Sequence, residues 1–276
     1  MGPSHKQFAP HYASMFGDAS VVHAYQYRPP YPPETFEILL SLLDPDAASR
    51  TVLDAGCGPG TIARALVRQV DRVDAVDIAA HMIAAGKGLP GGDDPKLRWI
   101  HGAMEHAPLH PPYALIIAAA SLHWMHWETV MTRFCEILTP GGHLAVVEEV
   151  QEPNPWSDML GFIGEYSLNK DFQPYNMLTV TQELTACGLF QQVGIRTSAP
   201  MSFRQSVDEY VESFHARNGL SRDRMDANAA SAFDRQLRAL VSRHCPNGAV
   251  ELQIRGRVIW GKPQPAEFTR GRQREG

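Results

Sequence analysis

Short apolar runs alternate with amphipathic stretches over the first half of the chain. Five of these runs have the length of buried strands and end near glycine or acidic residues. They are 51–54, 72–77, 97–101, 114–119 and 143–149. Between them, apolar side chains recur at helical spacing, as Ile62, Leu66 and Val70 do. Strands that alternate with helices in this way predict a parallel sheet covered by helices on both faces.

The segments on either side of this alternation have a different pattern. The first 30 or so residues are rich in aromatic side chains and end in the proline-rich segment YRPPYPP at 27–33. Pro33 suits the first turn of a helix that continues to about Leu43. After Val150 the regular alternation ends, which predicts insertions over the edge of the sheet.

The second half is predicted to contain further helices and two more strands. Thr179 and Gln182 have the spacing of a capping box, and Gly188 would end that helix. The other predicted helices are 156–170, 207–217 and 222–244. Strands are predicted at 191–197 and 250–260, and apolar–polar alternation in the second indicates a position near a half-exposed edge.

Composition narrows the classes of protein and partner. The 276 residues, 44% of them hydrophobic, are enough for one α/β core with appended elements. A net charge of −5 with no block of Lys and Arg argues against a nucleic-acid partner. The four cysteines are scattered, which predicts reduced thiols and no metal site. With no signal-like core and no 18-residue apolar run, we expect a cytoplasmic protein that does not enter a membrane.

The segment TVLDAGCGPGT at 51–61 carries the strongest functional signal. A strand leads into a glycine-rich turn, and a helix begins directly after it. Such a turn lets a ligand approach the backbone closely, and the helix N-terminus adds N–H donors. Asp77 lies 23 residues after Asp54, at the end of the next strand, where a carboxylate can accept both hydroxyls of a ribose. The spacing therefore predicts a nucleoside-binding α/β unit.

The glycine spacing distinguishes between two nucleoside cofactors. A dinucleotide fingerprint would place its third glycine one position after Gly60. Asp54, just before the turn, would repel a pyrophosphate but suits a ligand that carries an ammonium and a sulfonium. These features favour S-adenosylmethionine, and an NAD(P)-dependent oxidoreductase remains the alternative from another enzyme class.

Four segments together resemble the class I S-adenosylmethionine-dependent methyltransferases, in the small-molecule group that includes trans-aconitate methyltransferase-like proteins. LDAGCGPG (53–60) is similar to the motif that holds the methionine part of the cofactor. VDAVDIAAHMI (73–83) resembles the ribose and adenine motif, and TPGGHLAVVE (139–148) the fifth strand with its preceding turn. YRPPYP (27–32) resembles the N-terminal lid motif.

This resemblance implies a set of cofactor-binding residues. Ile78 would lie against the adenine, and Ala103 and Met104, in HGAMEHAP (101–108), would flank it. An aspartate usual in the family is replaced by Ala103, so the adenine amine needs another partner, such as backbone or Glu105. Arg28 either binds the cofactor carboxylate or forms a surface ion pair. The full predicted set is Arg28, Asp54, Gly56, Cys57, Gly58, Gly60, Asp77, Ile78, Ala103, Met104 and Ala119.

The fold implied is a Rossmann-like, doubly wound seven-stranded sheet whose last strand is antiparallel, with a helical lid and a helical cap. In chain order, its expected parts are a lid at 1–44, a cofactor-binding core at 45–150, completion of the sheet at 151–261 with cap insertions at about 151–179 and 203–249, and a disordered tail at 262–276.

Candidates for catalysis follow the fourth and fifth strands, where ligands gather in an open parallel sheet. His123 is the first candidate for a general base, because it lies just past the fourth strand and its free side chain titrates near neutrality. The alternative is that His123 only shapes the pocket. Glu148, or its neighbour Glu149, is a second candidate base or a partner for a cationic substrate.

The substrate is expected to be a small organic molecule, such as a carboxylic acid or a natural-product intermediate. Aromatic side chains that could contact it are Tyr27, Trp124, Trp127 and Trp156, with His123 beside them. A cationic clamp for an acid could come from Arg196, Arg204, Arg217, Arg222, Arg224 or His215. A second alternative keeps the fold and the cofactor, but the protein would carry out a reaction other than methyl transfer. A monomer or a homodimer is expected.

Overall fold

A computed structural model describes residues 5–45, 49–152, 157–245 and 247–266. Within these residues the chain forms a mixed sheet of eight strands. They are β1 (Thr51–Ala55), β2 (Arg72–Asp77), β3 (Leu97–His101), β4 (Tyr113–Ala119), β5 (Leu138–Glu152), β6 (Phe190–Thr197), β7 (Met201–Ser206) and β8 (Ala249–Pro263). Their order is β3–β2–β1–β4–β5–β8–β6, and β7 also pairs with β8. Of these strands, β8 runs antiparallel to its neighbours.

The helices of the described residues surround this sheet. They are α1 (Pro10–Ala13), α2 (Ala19–Ala24), α3 (Pro33–Leu40), α4 (Thr61–Leu66), α5 (Ala80–Lys87), α6 (Trp127–Ile137), α7 (Ser157–Tyr166), α8 (Met177–Ala186), α9 (Val207–Phe214) and α10 (Ala227–His244). None of them combines the length and the apolar character needed to cross a membrane.

The predicted doubly wound fold is confirmed, and its strand order locates the ligand crevice. From β1 the chain proceeds to β2 and β3 on one side, and then crosses to β4 and β5 on the other. Such a reversal opens a crevice beyond the carboxyl ends of the two central strands, which is where open α/β sheets bind ligands. The glycine-rich turn after β1 and the segment after β4 both lie at this edge.

Two apolar layers hold helices against the two faces of the sheet. On one face, buried side chains of α6 and α8, such as Phe134 and Leu184, pack on β4 and β5. On the other face, α3 and α4 contribute Leu39 and Ile62 to a second layer. β1 is buried along its whole length. This burial on both faces explains why its sequence is a continuous apolar run rather than an alternating one.

The cap is built on an extension of the last strand. β8 is 15 residues long, and its first half pairs with β7 while its second half pairs with β6. Buried residues of α9 and α10, including Phe214 and Phe233, pack against this first half. The sequence predicted seven strands and assigned 203–249 to helical insertions. The additional strand is β7. Its exposed polar residues, such as Ser202 and Arg204, interrupt the apolar pattern by which a strand is predicted.

Three local predictions need correction. The helix predicted to begin with a capping box of Thr179 and Gln182 is instead capped by Asn176, whose side chain accepts from the Thr179 N–H at 2.9 Å. The turn TPGG at 139–142 lies inside β5, where the pairing with β4 is irregular. The disordered tail predicted at 262–276 is wrong at its start, because β8 continues to Pro263, and 267–276 lie outside the described residues.

The N-terminal segment lies over the crevice and is bonded to the cap. The Arg224 guanidinium donates to both carboxylate oxygens of Asp18, at 2.7 and 2.8 Å. The Asn218 amide donates to the carbonyl of Tyr12 at 2.6 Å. The Asn169 amide donates to the carbonyl of Gln7 at 3.0 Å. These polar contacts hold residues 5–24 as a cover on segments that lie far along the sequence.

The N-cap of α8 gives a stability prediction. Asn176→Ala should lower the free energy of unfolding by about 1 kcal/mol, because the Thr179 N–H loses its acceptor. The matched control is Gln182→Ala, which changes an exposed residue and should stay within about 0.5 kcal/mol of the parent. Urea denaturation followed by circular dichroism measures both. A larger loss for Gln182→Ala than for Asn176→Ala would contradict this assignment of the cap.

Candidate functional site

The glycine-rich turn is held open by a carboxylate from the neighbouring strand. The two oxygens of Asp77, at the end of β2, accept from the Gly58 N–H and the Ala79 N–H, both at 2.7 Å. The N–H groups of Gly56 and Cys57 donate to the carbonyl of Val76 at 2.8 and 2.9 Å. Since a carboxylate has about four acceptor positions, Asp77 keeps capacity for a ligand hydroxyl.

The turn needs glycine for two separate reasons. Gly56, Gly58 and Gly60 all have positive φ values, at 74°, 55° and 73°. A Cβ at Gly56 would lie 2.4 Å from the Cβ of Ser121, and one at Gly60 would lie 2.4 Å from the Trp99 ring. At Gly58 the space is open, with the Tyr25 hydroxyl 3.6 Å away as the nearest atom. The turn therefore packs tightly at both ends and leaves room at its middle.

Asp54 is a buried carboxylate with one oxygen unused by the protein. It is 1% exposed, and its Oδ2 accepts from the Ala63 N–H in α4 at 3.1 Å. Its Oδ1 has no partner among the described residues. Burial raises the pKa of Asp54 to about 7, although the Ala63 N–H opposes this shift. A cation placed beside Oδ1 would stabilise the ionised form.

Cys57 behaves as a small apolar residue within the turn. It is 8% exposed, and burial raises the pKa of its thiol well above the usual value. Nearby Asp54 and Asp77 raise it further. The thiolate that nucleophilic chemistry requires is therefore disfavoured here.

Three residues predicted to surround an adenine differ in exposure. Ile78, after β2, is 60% exposed, which is unusual for a large aliphatic side chain. Ala103 is half-buried, whereas Met104 is 4% exposed and belongs to the core.

Glu105, considered as a substitute for the family's aspartate, accepts from the His126 N–H at 2.8 Å, directly before α6. Ala119 is half-buried at the end of β4.

Arg28 lies beside the open middle of the turn. Its guanidinium donates to the Tyr25 hydroxyl at 3.1 Å and stacks over that ring at 4.9 Å. The same hydroxyl faces Gly58. Tyr25, Glu149 and Tyr31 raise the pKa of Arg28, against the effect of its burial. Of the two alternatives predicted for Arg28, this position favours the ligand-facing one, because the side chain forms no ion pair with a carboxylate among the described residues.

His123 is enclosed by aromatic rings from three parts of the chain. It is 4% exposed, with the rings of Phe8 and Tyr175 both at 4.8 Å and that of Trp124 at 5.1 Å. Its Nε2 shares a hydrogen bond with the Tyr175 hydroxyl at 2.9 Å, and Nδ1 has no partner among the described residues. Burial lowers the pKa of His123 to about 3. The imidazole is thus neutral at physiological pH, but it is a weak base.

Glu148 takes part in contacts that join two elements. Its Oε1 accepts from the Met177 N–H at the start of α8, at 3.0 Å. Its Oε2 pairs with the Arg257 guanidinium of β8 at 2.8 Å. The neighbouring Glu149 accepts from the Gln151 amide at 2.6 Å and faces Arg28. These contacts favour an anchoring role for Glu148, and its predicted role as a base stays a prediction.

The predicted aromatic substrate contacts are not all in one place. Trp124 is half-buried between Phe8 and Phe16, with ring distances of 5.3 and 5.4 Å. Trp127 lies in the core, and its indole N–H donates to the carbonyl of Leu122 at 3.0 Å, which favours a packing role. Tyr27 contacts the His23 ring at 6.3 Å. Trp156 lies outside the described residues.

A cavity of about 550 Å³ adjoins this aromatic group. Phe8, His123 and Trp124 line it on one side, and Glu128 and Asp171 on another. The histidines do not gather there as a metal site: no group of three or more His, Cys, Asp or Glu residues in the described ranges has that geometry. The His126 ring bonds to the Thr129 hydroxyl at 2.8 Å.

Sequence reasoning missed Phe8, Tyr25 and Tyr175 as residues of the site. Tyr25 lies two positions before Tyr27, where the proline-rich segment begins, so the motif located the region but not the residue. Tyr175 has no motif around it. It reaches His123 only because the segment before α8 crosses the end of β4, and this crossing leaves no pattern in the sequence.

Comparison with known proteins shows that the chain is similar to methyltransferases. Residues 52–142 match the family model described as a methyltransferase domain. An uncharacterized methyltransferase of Mycobacterium tuberculosis is 32% identical over 114 residues, which cover 41% of this chain and 56% of that protein. A trans-aconitate 2-methyltransferase of Methylobacterium nodulans is 33% identical over 121 residues, covering 40% of this chain and 43% of the relative. The chain thus spans about half the length of these curated relatives.

Solved structures extend the likeness of fold to most of the chain. A proposed type II methyltransferase from Anaeromyxobacter dehalogenans superposes with a TM-score of 0.61 at 21% identity, over 86% of this chain and 99% of that one. At this identity the likeness concerns the fold alone. Together with the family match over the core, it confirms the resemblance to the class I S-adenosylmethionine-dependent methyltransferases.

The burial of His123 gives a pH prediction. The unfolded chain takes up a proton at this residue as the pH falls through 6.5, whereas the folded protein does so only near 3. The contribution of His123 to stability should therefore be full above pH 6.5 and fall below it, by about 2 kcal/mol at pH 5 relative to pH 8. His123→Gln, which can still bond to Tyr175, should lack this part of the loss. Urea denaturation of both proteins at the two pH values measures the difference, and equal losses would contradict it.

Proposed function

We propose that this chain binds S-adenosylmethionine and transfers its methyl group to a small organic acceptor. The observation that carries the proposal is the glycine-rich turn. Asp77 bonds to the N–H of Gly58 at its middle, where the space is open, and the turn lies within the segment that matches a methyltransferase domain. When bound, the cofactor supplies an electrophilic methyl group on a positively charged sulfur, and a neutral thioether leaves as the acceptor atom bonds to the methyl carbon.

The buried polar atoms of the turn fit the methionine end of this cofactor. Asp54 Oδ1 is an unpartnered acceptor in a buried position, which suits an ammonium group or the nearby positive sulfur. Arg28 is a cation beside the open position at Gly58, which suits the carboxylate. A pyrophosphate would meet the Asp54 carboxylate instead, and no arginine or lysine lies within ion-pair distance of Asp54 among the described residues.

The nucleoside end of the cofactor would lie along the ends of β2 and β3. Asp77 would accept the ribose hydroxyls in addition to its two backbone donors. Ile78 is an exposed aliphatic side chain that an adenine ring would cover, with half-buried Ala103 nearby. Burial of such a side chain on binding contributes about 1–2 kcal/mol.

We further propose that His123 positions the acceptor rather than titrating during turnover. A general base works best when its pKa is near the working pH, and that of His123 is about 3. Burial also raises the pKa of its partner Tyr175 to about 12. The pair is therefore a neutral hydrogen-bonding surface. Alignment of reacting atoms by such a surface is a large source of rate in displacement reactions.

Cofactor binding gives the direct test of the proposed function. Isothermal titration calorimetry should show S-adenosylhomocysteine binding with a Kd in the micromolar range, about −8 kcal/mol, and no heat from NAD. Ile78→Ala should weaken binding about 5–30-fold by removing apolar cover from the adenine. The control is Val193→Ala on β6, which removes a side chain of similar exposure, 58%, away from the turn. Saturable binding of NAD, with none of S-adenosylhomocysteine, would overturn the proposal.

Steady-state kinetics test the role of His123. His123→Gln should keep turnover within about tenfold of the parent, since its amide can take the place of Nε2 in the bond to Tyr175. His123→Asn should also do so, because it keeps a polar side chain of similar shape. Between pH 6 and 8, the rate of the parent and the rate of the Asn variant should depend on pH in the same way. A fall of 100-fold or more in both variants, with cofactor affinity unchanged, would instead assign the base role to His123.

A further inference from the structure

Arg217 belongs to the part of the cap that contacts the lid. It follows α9, and α9 packs against the short 3-10 helix Tyr25–Tyr27 that immediately precedes Arg28. Arg217 is half-buried, and its guanidinium stacks over the Phe214 ring at 4.6 Å. The two arginines thus follow two elements that pack against each other.

The other cations considered as a clamp are each neutralised by a carboxylate. Arg196 pairs with Glu34 at 3.1 Å and Arg204 with Glu251 at 3.7 Å, both on the surface. The remaining pairs are Arg222 with Glu212 and Asp234, Arg224 with Asp18, and His215 with Asp234. Among the described residues, no carboxylate lies within ion-pair distance of Arg217.

The surroundings of Arg217 connect it with His123. Burial lowers the pKa of Arg217, and the positive charge of Arg28 lowers it further, whereas Tyr210, Glu149 and Tyr175 raise it. In turn, Arg28 and Arg217 both act to lower the pKa of Tyr175. The Tyr175 hydroxyl bonds to His123, so both positive charges act on the residue that holds His123.

A half-buried guanidinium without a carboxylate is costly unless a ligand supplies the negative charge. Glu149 raises the pKa of both Arg28 and Arg217, but it lies within ion-pair distance of neither among the described residues. If Arg28 binds the cofactor carboxylate, Arg217 still has no carboxylate in direct contact, and the acceptor can supply one.

We propose that Arg217 binds an anionic group of the methyl acceptor, and that the acceptor is a small carboxylate. This inference rests on the proposed function, since it names the molecule that shares the site with the cofactor. A carboxylate is favoured over a phosphate because its single negative charge matches one guanidinium, and the planar guanidinium can donate to both of its oxygens. A neutral or cationic acceptor would leave Arg217 uncompensated.

The experiment uses the full chain loaded with S-adenosylhomocysteine and pairs of probes. Small aliphatic and aromatic carboxylic acids are compared with their primary amides, and with phosphate monoesters of similar size, by calorimetry. At least one acid should bind tenfold or more tightly than its amide and than the phosphate. Equal binding of acids and amides, or no binding of any acid, would overturn the proposal. Preference for the phosphates would overturn its assignment of a carboxylate.

Variants then locate the contact. Arg217→Gln should raise the KM for the preferred acid about 10–100-fold and remove the preference over the amide, with the Kd of S-adenosylhomocysteine unchanged. Arg217→Lys should recover part of the loss. Arg204→Gln is the matched control, because it removes an exposed arginine of the same cap. A loss confined to S-adenosylhomocysteine affinity would overturn the proposal, since Arg217 would then serve the cofactor.

The cofactor measurement separates the two proposals. If S-adenosylhomocysteine binds the parent and Arg217→Gln alike, folding and cofactor binding are intact, and any change in acid binding reports on Arg217. If the parent fails to bind S-adenosylhomocysteine, the proposed function fails, and this inference fails with it. An unchanged KM in Arg217→Gln overturns the inference alone.

Discussion

The carboxylate of Asp77 is the contact on which the geometry of the site depends. By accepting from Gly58 and Ala79, it joins the turn after β1 to the turn after β2 and fixes the space between them. The N–H groups of Gly56 and Cys57 add a second link, to the carbonyl of Val76. A parallel sheet brings these strand ends to one edge, but the carboxylate determines how the two turns face each other.

Around Asp77, two charged groups of the site are buried or half-buried without a partner of opposite charge. Asp54 has one oxygen without a partner, and Arg217 is without a carboxylate among the described residues. Burial raises the pKa of Asp54 and lowers that of His123. Burial of groups in such states costs stability, and a bound ligand of opposite charge offsets that cost. Under the proposed function, the same groups recognise the ligand, and their burial lowers the stability of the protein when no ligand is bound.

The lid and the cap complete the site through contacts between residues far apart in sequence. Phe8 and Tyr175 enclose His123, and they lie 115 and 52 positions from it. The ion pair of Arg224 with Asp18 holds the lid on the cap. These contacts between the lid and the cap are polar, whereas the layers that hold the helices on the sheet are apolar. Contacts of this kind, exposed and polar, open at lower cost than a buried core.

The sequence by itself determined the parallel core and the cofactor turn, because both follow from local rules. A strand buried on both faces must be continuously apolar, and a turn with positive φ requires glycine, so β1 and Gly56 were readable without a structure. The sequence did not show the extra strand β7, the N-cap of α8 at Asn176 or the partners of His123. Each of these depends on chain segments that only folding brings together. Tertiary structure alone distinguished Arg217 from the other cap arginines. Charge pairing is a property of distance in space, and residue order does not encode it.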